Sequence, residues 1–212
     1  MLFSRELPVS AYTQLDNGTK VLRVPAHTQP DTENECMAFS VYMVIEYCRT
    51  AYPVNMVREY TPALQIDDLK DILTIRDMGW VLKKRDIDTL SSISSPIEFR
   101  LREFERSPSS KRLYNIIDDQ LDNNLPIITI VDAIRLQEER EDREIAEGNE
   151  TEEHSVVVIG NDDQHIYIND PWGGVREPFP HDVFAEAWDV GLNRIVTTNL
   201  QTTLDNATEA QT

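Results

Sequence analysis

The sequence predicts a single α+β domain in which a helical N-terminal lobe packs on a C-terminal antiparallel sheet. Apolar residues recur at helical spacing in the N-terminal half, most densely over residues 37–48. From residue 154 the pattern changes to short apolar segments separated by turn formers, which is typical of adjacent antiparallel strands. A chain of 212 residues with 40% apolar content can bury one good-sized core. We assign this domain to residues 1–199 and expect a disordered polar tail over residues 200–212.

The first half of the chain is predicted to be mainly helical. Apolar residues at helical spacing indicate the helices, and alternating apolar residues indicate the strands. Thr32 and Glu35 form a capping-box pattern, and Asn34 is a rival N-cap. Either choice places Cys36 in the first turn of the helix that follows. The elements predicted here are an irregular stretch over 1–20, a short strand over 21–26, helices over 37–48, 66–79 and 111–124, a loop over 91–96 and a strand over 97–104.

The second half is predicted to supply most of the sheet. Its elements are a buried strand over 125–132, strands over 154–160 and 165–170 joined by a turn, a short helix over 181–188 and a last strand over 192–198. After the first of these strands, residues 133–153 carry acidic residues and arginine at helical spacing. This charge pattern indicates an exposed helix within a solvated, charged insertion.

The chain is strongly acidic. Its formal net charge of -18 and pI near 4.5 would repel a phosphate backbone or an anionic membrane surface, so we expect neither a nucleic-acid nor a membrane partner. Lysine is scarce, and arginine supplies most of the 20 basic residues. This composition is typical of halophilic proteins, in which molar salt shortens the Debye length to about 3 Å and screens the self-repulsion. An acidic interaction surface is the alternative interpretation.

No targeting or membrane-spanning segment is predicted. The N-terminus lacks a basic start with an apolar core, and no apolar run approaches the roughly 20 residues that span a bilayer. We therefore expect a cytoplasmic protein. Cys36 and Cys48 would lie about 18 Å apart on one helix, which is too far for a disulfide, so both should be free thiols.

Cys36 is the candidate nucleophile. A thiol attacks as its thiolate, and the N-terminus of a helix stabilises that negative charge. The adjacent Glu35 would oppose the thiolate unless its carboxylate points away from the sulfur. Cys48 lies at the opposite, negative end of the helix, and we interpret it as a core residue. Cys36 taken alone also fits a buried structural thiol, so its assignment depends on its partners.

His154, Asn169 and Asp170 are the candidate partners. His154 begins an apolar strand directly after an acidic segment, where an imidazole can act as a general base at the mouth of a cleft. Asn169 and Asp170 end the strand predicted to pair beside it, and either side chain could hold the imidazole tautomer. The same residues also fit simpler roles as a solvated strand end and a tight turn.

Gln29 is the candidate oxyanion donor. It lies in a loop shortly before Cys36, from which its side-chain amide could donate to a developing oxyanion. The remaining histidines, His27, His165 and His181, have no second ligand at metal spacing, and the chain has no paired-cysteine motif. We therefore expect no metal site and no cofactor.

Four segments together resemble the C39-like group of papain-fold cysteine peptidases. VPAHTQPDTENECMAFSVYMVIEY (24–47) is similar to the family's loop Gln, nucleophilic Cys and following helix. LPIITIVD (125–132) resembles the strand before the family's histidine, and HSVVVIGNDDQHIYINDPWGG (154–174) resembles its histidine strand, hairpin and Asp-Pro turn. FPHDVFAEAW (179–188) is similar to the short helix that follows. About half of the chain is covered by this resemblance.

The resemblance implies a papain-like fold and a role for each candidate residue. Cys36 would be the nucleophile and His154 the base. Asp170 would orient the imidazole, with Asn169 in reserve, and Gln29 would stabilise the oxyanion.

Two features depart from the family pattern, and neither removes a catalytic group. Met37 stands where many relatives have Gly or another small residue, which bears on the shape of the cleft. Residues 133–153 are long for the loop before the histidine and could form a lid. The implied reaction is hydrolysis of an amide in a peptide or protein substrate, including an isopeptide. The alternatives are a catalytically silent papain-like module that binds a peptide or partner protein, and a related thiol acyltransferase.

The halophilic interpretation predicts that the fold depends on salt. Transfer from molar to low salt restores repulsion among the excess carboxylates, so the protein should lose its folded structure on dialysis into low-salt buffer. Circular dichroism recorded across the dialysis measures this loss. Unchanged stability at low salt would contradict the interpretation and favour the acidic interaction surface.

Overall fold

The computed structural model describes residues 11–30, 35–52, 64–73, 84–104, 110–141, 152–190 and 193–200. The helices in these ranges are α1 (Cys36–Ala51), α2 (Ile66–Leu73), α3 (Lys84–Ile93), α4 (Ser110–Asp122), α5 (Ala133–Arg140) and α6 (His181–Val190). The strands are β1 (Tyr12–Gln14), β2 (Lys20–Leu22), β3 (Ile97–Glu103), β4 (Ile127–Asp132), β5 (Glu153–Asn161), β6 (His165–Asn169), β7 (Glu177–Pro180) and β8 (Arg194–Leu200). Within the same ranges, no helix has the length and apolarity needed to cross a bilayer.

A six-stranded antiparallel sheet forms the centre of the fold, with the strand order β3-β8-β4-β5-β6-β7. β1 and β2 form a separate antiparallel hairpin that packs on β5 through β2. At one edge, β7 carries Pro178 and Pro180, and proline discourages further strand pairing there. At the other edge, the hydroxyl of Ser91 in α3 hydrogen-bonds to both the N–H and the carbonyl of Phe99 in β3. Both edges are therefore protected against further pairing.

Both faces of the sheet are covered, which explains why its central strands are apolar throughout. In β4, Ile128 and Ile130 belong to the core shared with α1. Ile127 and Val131 belong instead to the core shared with α4 and α6. An antiparallel strand with one solvated face would alternate apolar and polar residues, so a continuous apolar run indicates a strand buried on both sides.

The α+β class and the antiparallel sheet are confirmed, and most predicted elements lie within a few residues of the observed ones. Three elements were not predicted: β1, in the stretch expected to be irregular, α3, which includes the start of the loop predicted over 91–96, and β7. The strand predicted over 21–26 ends at Leu22, and β8 extends to Leu200, one residue into the predicted tail. The predictions for Thr32, Asn34, 74–79, 142–151 and 201–212 lie outside the described residues.

Residues 133–141, the start of the solvated insertion predicted over 133–153, instead pack against the domain. Ala133 and Leu136 of α5 are buried, and α5 packs against α6. The carboxylate of Asp132 caps α5 and also accepts from the N–H of Glu152 at 2.9 Å, which ties the start of the helix to the chain entering β5. Arg135 pairs with Glu186 of α6, and Arg140 pairs with Asp170 and Glu177, so the described part of this charged segment belongs to the fold.

Asp162, in the turn between β5 and β6, fastens the β1–β2 hairpin to the sheet. Its carboxylate accepts hydrogen bonds from the hydroxyls of Thr19 at 2.8 Å and Tyr167 at 2.7 Å, and from two backbone N–H groups of its own turn. Burial acts against the charge, but these hydrogen bonds hold the pKa of Asp162 well below its ordinary value. The hairpin leads directly into the loop that carries Gln29, so this junction helps to position that loop.

Candidate active site

Cys36 is the first residue of α1, and its side chain lies almost entirely out of solvent. The first N–H groups of a helix have no partner within the helix, so this end favours negative charge on a thiolate or a bound oxyanion. The next residue, Met37, is fully buried in the core. This departure from the family's small residue therefore affects packing beneath the nucleophile, not the surface of the cleft.

The charge of Glu35, beside the nucleophile, is balanced by an ion pair. Its carboxylate lies 2.7 Å from Nζ of Lys70 in α2, and both side chains are largely buried. Glu35 directly precedes α1, and its own side chain makes no capping hydrogen bond to the helix. The predicted capping box joins it to Thr32, which lies outside the described residues. The lysine offsets a carboxylate that would otherwise oppose a thiolate on the adjacent residue.

His154 lies at the start of β5 with its imidazole buried. Its Nε2 is 2.6 Å from Oδ1 of Asp170. The Cys36 thiol also acts on the ring, since it is one of the groups that raise the pKa of His154. Because Nε2 faces Asp170, Nδ1 is the ring nitrogen left for the sulfur. The indole of Trp172 stacks on the imidazole with ring centroids 4.2 Å apart. The structure thus brings the three predicted groups together in the order thiol, imidazole, carboxylate.

The Asp170 carboxylate accepts hydrogen bonds on both of its oxygens. Oδ1 accepts from His154 and, at 2.8 Å, from the backbone N–H of Trp172. Oδ2 accepts from Nη2 of Arg140, the last residue of α5. Arg140 also donates to Glu177, from Nε at 2.8 Å and from Nη2 at 2.6 Å. Sequence reasoning missed Arg140 and Glu177, because no spacing rule links an arginine in a charged segment to a carboxylate 30 residues later.

Two glycines shape the turn that carries Asp170. Gly173 has a φ of 114°, which favours glycine, and its N–H donates to the Asp170 carbonyl at 2.9 Å. A β-carbon on Gly174 would lie 2.2 Å from Oε2 of Glu177 and 3.2 Å from Cβ of Asp170. A larger residue at this position would therefore displace the Glu177 carboxylate and press against Asp170. The predicted tight turn and the presentation of Asp170 to His154 are one feature.

Asn169, the alternative orienter, has both ends of its amide engaged with backbone. Its Nδ2 donates to the carbonyl of Val24 at 2.9 Å, and its Oδ1 accepts from the N–H of Arg176 at 3.0 Å. The carboxylate of Asp170, not this amide, is the group within hydrogen-bonding distance of His154. Asn169 instead ties the loop after β2 to the end of β6.

Gln29 lies in a loop held between α1 and the Asp170 turn, with its side chain nearly buried. Its backbone N–H donates to the carbonyl of Pro171 at 2.7 Å, directly after Asp170. Two residues earlier, Nε2 of His27 lies 2.5 Å from a carboxylate oxygen of Glu46 in α1. These contacts fasten the loop to both the nucleophile helix and the turn.

A buried hydrogen bond joins α1 to β5 next to the site. Ser40, one turn after Cys36, donates to the carbonyl of Ser155 at 3.1 Å, and the two hydroxyls are 3.3 Å apart. Ser155 directly follows His154 in β5. The bond fixes the helix that carries the thiol against the strand that carries the imidazole, and two serines within apolar runs gave no signal of this.

Burial lowers the pKa of His154, but hydrogen bonds to Asp170 and Cys36 and the charges of both groups outweigh it and raise the pKa to about 9. Burial raises the pKa of Asp170, whereas hydrogen bonds from His154, Arg140 and the Trp172 N–H, with the imidazolium charge, bring it down to about 2. At neutral pH the imidazole is therefore protonated and the carboxylate ionised.

The other thiol and the other histidines have separate surroundings. Cys48 is fully buried, and burial raises the pKa of its thiol to about 12, which suits a core residue. His165 lies 3.6 Å from Asp162, and His181 contacts Asn161 at 2.8 Å. Across the described ranges, no group of three or more His, Cys, Asp and Glu side chains could hold a metal ion.

Similar folds occur among solved structures. A crystal structure assigned as a C39-like peptidase from Bacillus anthracis aligns with a TM-score of 0.53 and 14% identity, covering 85% of this chain and 96% of that one. A double glycine motif protease from an AMS/PCAT transporter, in complex with the leader peptide, aligns with a TM-score of 0.47 and 16% identity, covering 84% and 94%. No curated protein gives a significant match.

The family model that matches this sequence spans most of it. The model is that of the Peptidase_C39 like family, and it matches residues 7–191. The helices packed on an antiparallel sheet form the papain-like fold of C39-like peptidases. The resemblance in the sequence is thereby confirmed, and the chain belongs to the Peptidase_C39 like family.

Proposed function

We propose that this protein is a cysteine peptidase that hydrolyses a peptide or isopeptide amide through Cys36, His154 and Asp170. The observation that carries the proposal is the buried pair of His154 and Asp170, 2.6 Å apart, whose imidazole is influenced by the Cys36 thiol at the first position of a helix. Family membership supports the same class of reaction and a peptide or protein substrate. A buried charged pair is often no more stable than apolar packing, so its presence is better explained by catalysis than by a silent binding module.

In the first half-reaction, Cys36 is acylated. The thiolate sulfur adds to the carbonyl carbon of the substrate, forming a C–S bond while an electron pair moves onto the oxygen. When this tetrahedral intermediate collapses, the C–N bond breaks and the proton of His154 passes to the departing nitrogen. The products are a thioester on Cys36, a free amine and a neutral imidazole.

In the second half-reaction, water hydrolyses the thioester. His154 takes a proton from the water as its oxygen adds to the carbonyl carbon. Collapse breaks the C–S bond, releases the acid and restores the thiolate with its imidazolium partner. Asp170 accepts from Nε2 throughout, which keeps Nδ1 directed at the reacting groups.

The oxyanion of each tetrahedral intermediate has two proposed donors. One is the side-chain amide of Gln29, and the other is the backbone N–H of Cys36 at the start of α1. Loss of one such donor typically costs about 3 to 4 kcal/mol of transition-state stabilisation. The indole of Trp172, stacked on His154, shields the imidazole and its bond to Asp170 from water.

Cys36→Ala should abolish both alkylation by iodoacetamide and hydrolysis of a quenched fluorescent peptide library. Removal of a nucleophile lowers kcat by roughly 10⁶-fold. Cys48→Ala is the matched control, because Cys48 lies on the same helix with a fully buried thiol, so this variant should keep both activities. Equal labelling of the two variants would contradict the assignment, and acyl transfer to an added amine in place of water would identify an acyltransferase.

Hydrolysis should be lost as the pH rises through about 9. His154 must be protonated to supply the leaving nitrogen, and its raised pKa places the loss of that proton near this value. In Asp170→Asn, the pKa of His154 loses the carboxylate that raises it, while burial still lowers it. The alkaline limit should therefore move to lower pH, and kcat should fall by on the order of 10⁴-fold. Asn169→Ala should keep the alkaline limit. An unchanged limit in Asp170→Asn would argue against its role as orienter.

A further inference from the structure

The Asp170 carboxylate must stay negatively charged when His154, its hydrogen-bond partner, loses its proton during the proposed reaction. The Asp170 side chain has 0% exposure, so an uncompensated negative charge there would favour uptake of a proton. His154 compensates this charge only while the imidazole is protonated. In the proposed reaction the imidazole is neutral from departure of the amine until it takes a proton from water. During that interval the carboxylate needs a second cation whose charge does not change.

We propose that Arg140 is that cation and therefore a positioning residue for the reaction, a role that rests on the proposed function. Its guanidinium donates from Nη2 to Oδ2 of Asp170. A guanidinium stays protonated at every pH at which the protein is folded, so its charge is constant through the cycle. Arg140 keeps Asp170 ionised while His154 is neutral, and it keeps the carboxylate aimed at Nε2.

The two oxygens of Asp170 have separate partners, which makes this arrangement possible. Oδ1 accepts from His154 at 2.6 Å and from the N–H of Trp172 at 2.8 Å, whereas Oδ2 accepts from Arg140. The guanidinium and the imidazole do not compete for one oxygen, so Arg140 can stay bound when His154 changes charge. Rotation of the carboxylate would break both sets of hydrogen bonds.

Arg140 is itself held in place by Glu177. Its Nε and Nη2 donate to the two carboxylate oxygens of Glu177 at 2.8 and 2.6 Å, a bidentate geometry that fixes the plane of the guanidinium. Gly174 leaves the space in which the carboxylates of Glu177 and Asp170 share the arginine. Arg140 also ends α5, where the helix dipole favours a cation.

These contacts predict opposite effects for two substitutions. Among the residues that the structure describes, the charged or titratable groups that act on His154 are Cys36 from α1 and Asp170 from the turn, with Arg140 and then Glu177 behind Asp170. Removing the arginine charge strengthens the hold of Asp170 on the imidazole proton, because Asp170 loses its other cation. Removing the Glu177 charge strengthens the influence of the arginine and weakens that hold. If the substitutions only loosened the site, the pKa of His154 would fall in both variants toward the lower, ordinary pKa of an exposed imidazole.

The test compares Arg140→Met, Arg140→Lys and Glu177→Gln with Arg135→Met in the full chain. Arg135 is the matched control because it lies on the same helix, has 22% exposure against 23% for Arg140, and pairs with Glu138 at 3.3 Å. The pH midpoint of His154 protonation is measured by NMR with ring-labelled histidine, alongside kcat and KM for a peptide that the wild type hydrolyses. Internal references are His27, His165 and His181.

Arg140→Met should raise the midpoint of His154 by about one pH unit, and Glu177→Gln should lower it. In Arg140→Met, kcat should fall by on the order of 10- to 100-fold with KM little changed, as when other groups that orient a functional histidine are lost. Arg140→Lys should keep the midpoint and recover part of kcat, because a lysine supplies the charge without the fork. Arg135→Met should match the wild type in both measurements.

A midpoint that falls or stays unchanged in Arg140→Met would overturn the inference. If Arg140→Met does not fold, Glu177→Gln provides the test. A His154 midpoint that rises or stays unchanged in Glu177→Gln would also overturn the inference. Failure of the proposed function would look different, because hydrolysis would survive Cys36→Ala. Failure of the inference alone would leave Cys36→Ala inactive and the kcat of Arg140→Met at the wild-type value.

Discussion

The Asp170 carboxylate is withdrawn from water, yet the groups that donate to it keep it ionised. A buried carboxylate without partners would take up a proton and could then no longer hold an imidazolium. This requirement accounts for much of the local architecture. The backbone N–H of Trp172 must point at the carboxylate, and α5 must end with Arg140. Position 174 must be small enough for Glu177 to approach.

The frame around this charged centre is rigid because the sheet is buried on both faces. α1 shares one core with β4 and β5, while α4 and α6 close the other side. Close packing on both faces leaves little freedom for the helix of Cys36 to shift relative to the strand of His154. The bond between Ser40 and Ser155 adds a directional contact within one turn of the nucleophile. The position of Cys36 relative to His154 therefore depends on the packing of the whole domain.

Much of the fold could be predicted from hydrophobic periodicity. The central groups of the site could be predicted because they lie at the ends of the predicted elements. Cys36 and His154 each begin an element whose type follows from hydrophobic periodicity, and the turn after Asp170 follows from its glycines and proline. The residues alone did not decide between Asp170 and Asn169, since the choice depends on which neighbouring side chain meets the imidazole, and it was the family resemblance that favoured Asp170. Periodicity points to elements, and it does not reveal how turns aim individual atoms.

The errors have physical causes of their own. Charge in residues 133–153 predicted exposure, but composition does not show that Arg140 has partners elsewhere in the fold. β1 is only three residues long, which is too short for a periodic signal, and the prolines of β7 argue against a strand in any local reading. In each case a contact with another segment of the chain decided the structure.

The bond between His154 and Asp170 is tested most directly by proton NMR of the wild type at pH 7, in the region of strongly deshielded imidazole protons. The proton that His154 Nε2 shares with the ionised Asp170 should give a resonance there that disappears in Asp170→Asn and persists in Asn169→Ala. Its absence from the wild type, or its survival in Asp170→Asn, would contradict the claim that a buried, ionised Asp170 holds the catalytic imidazole.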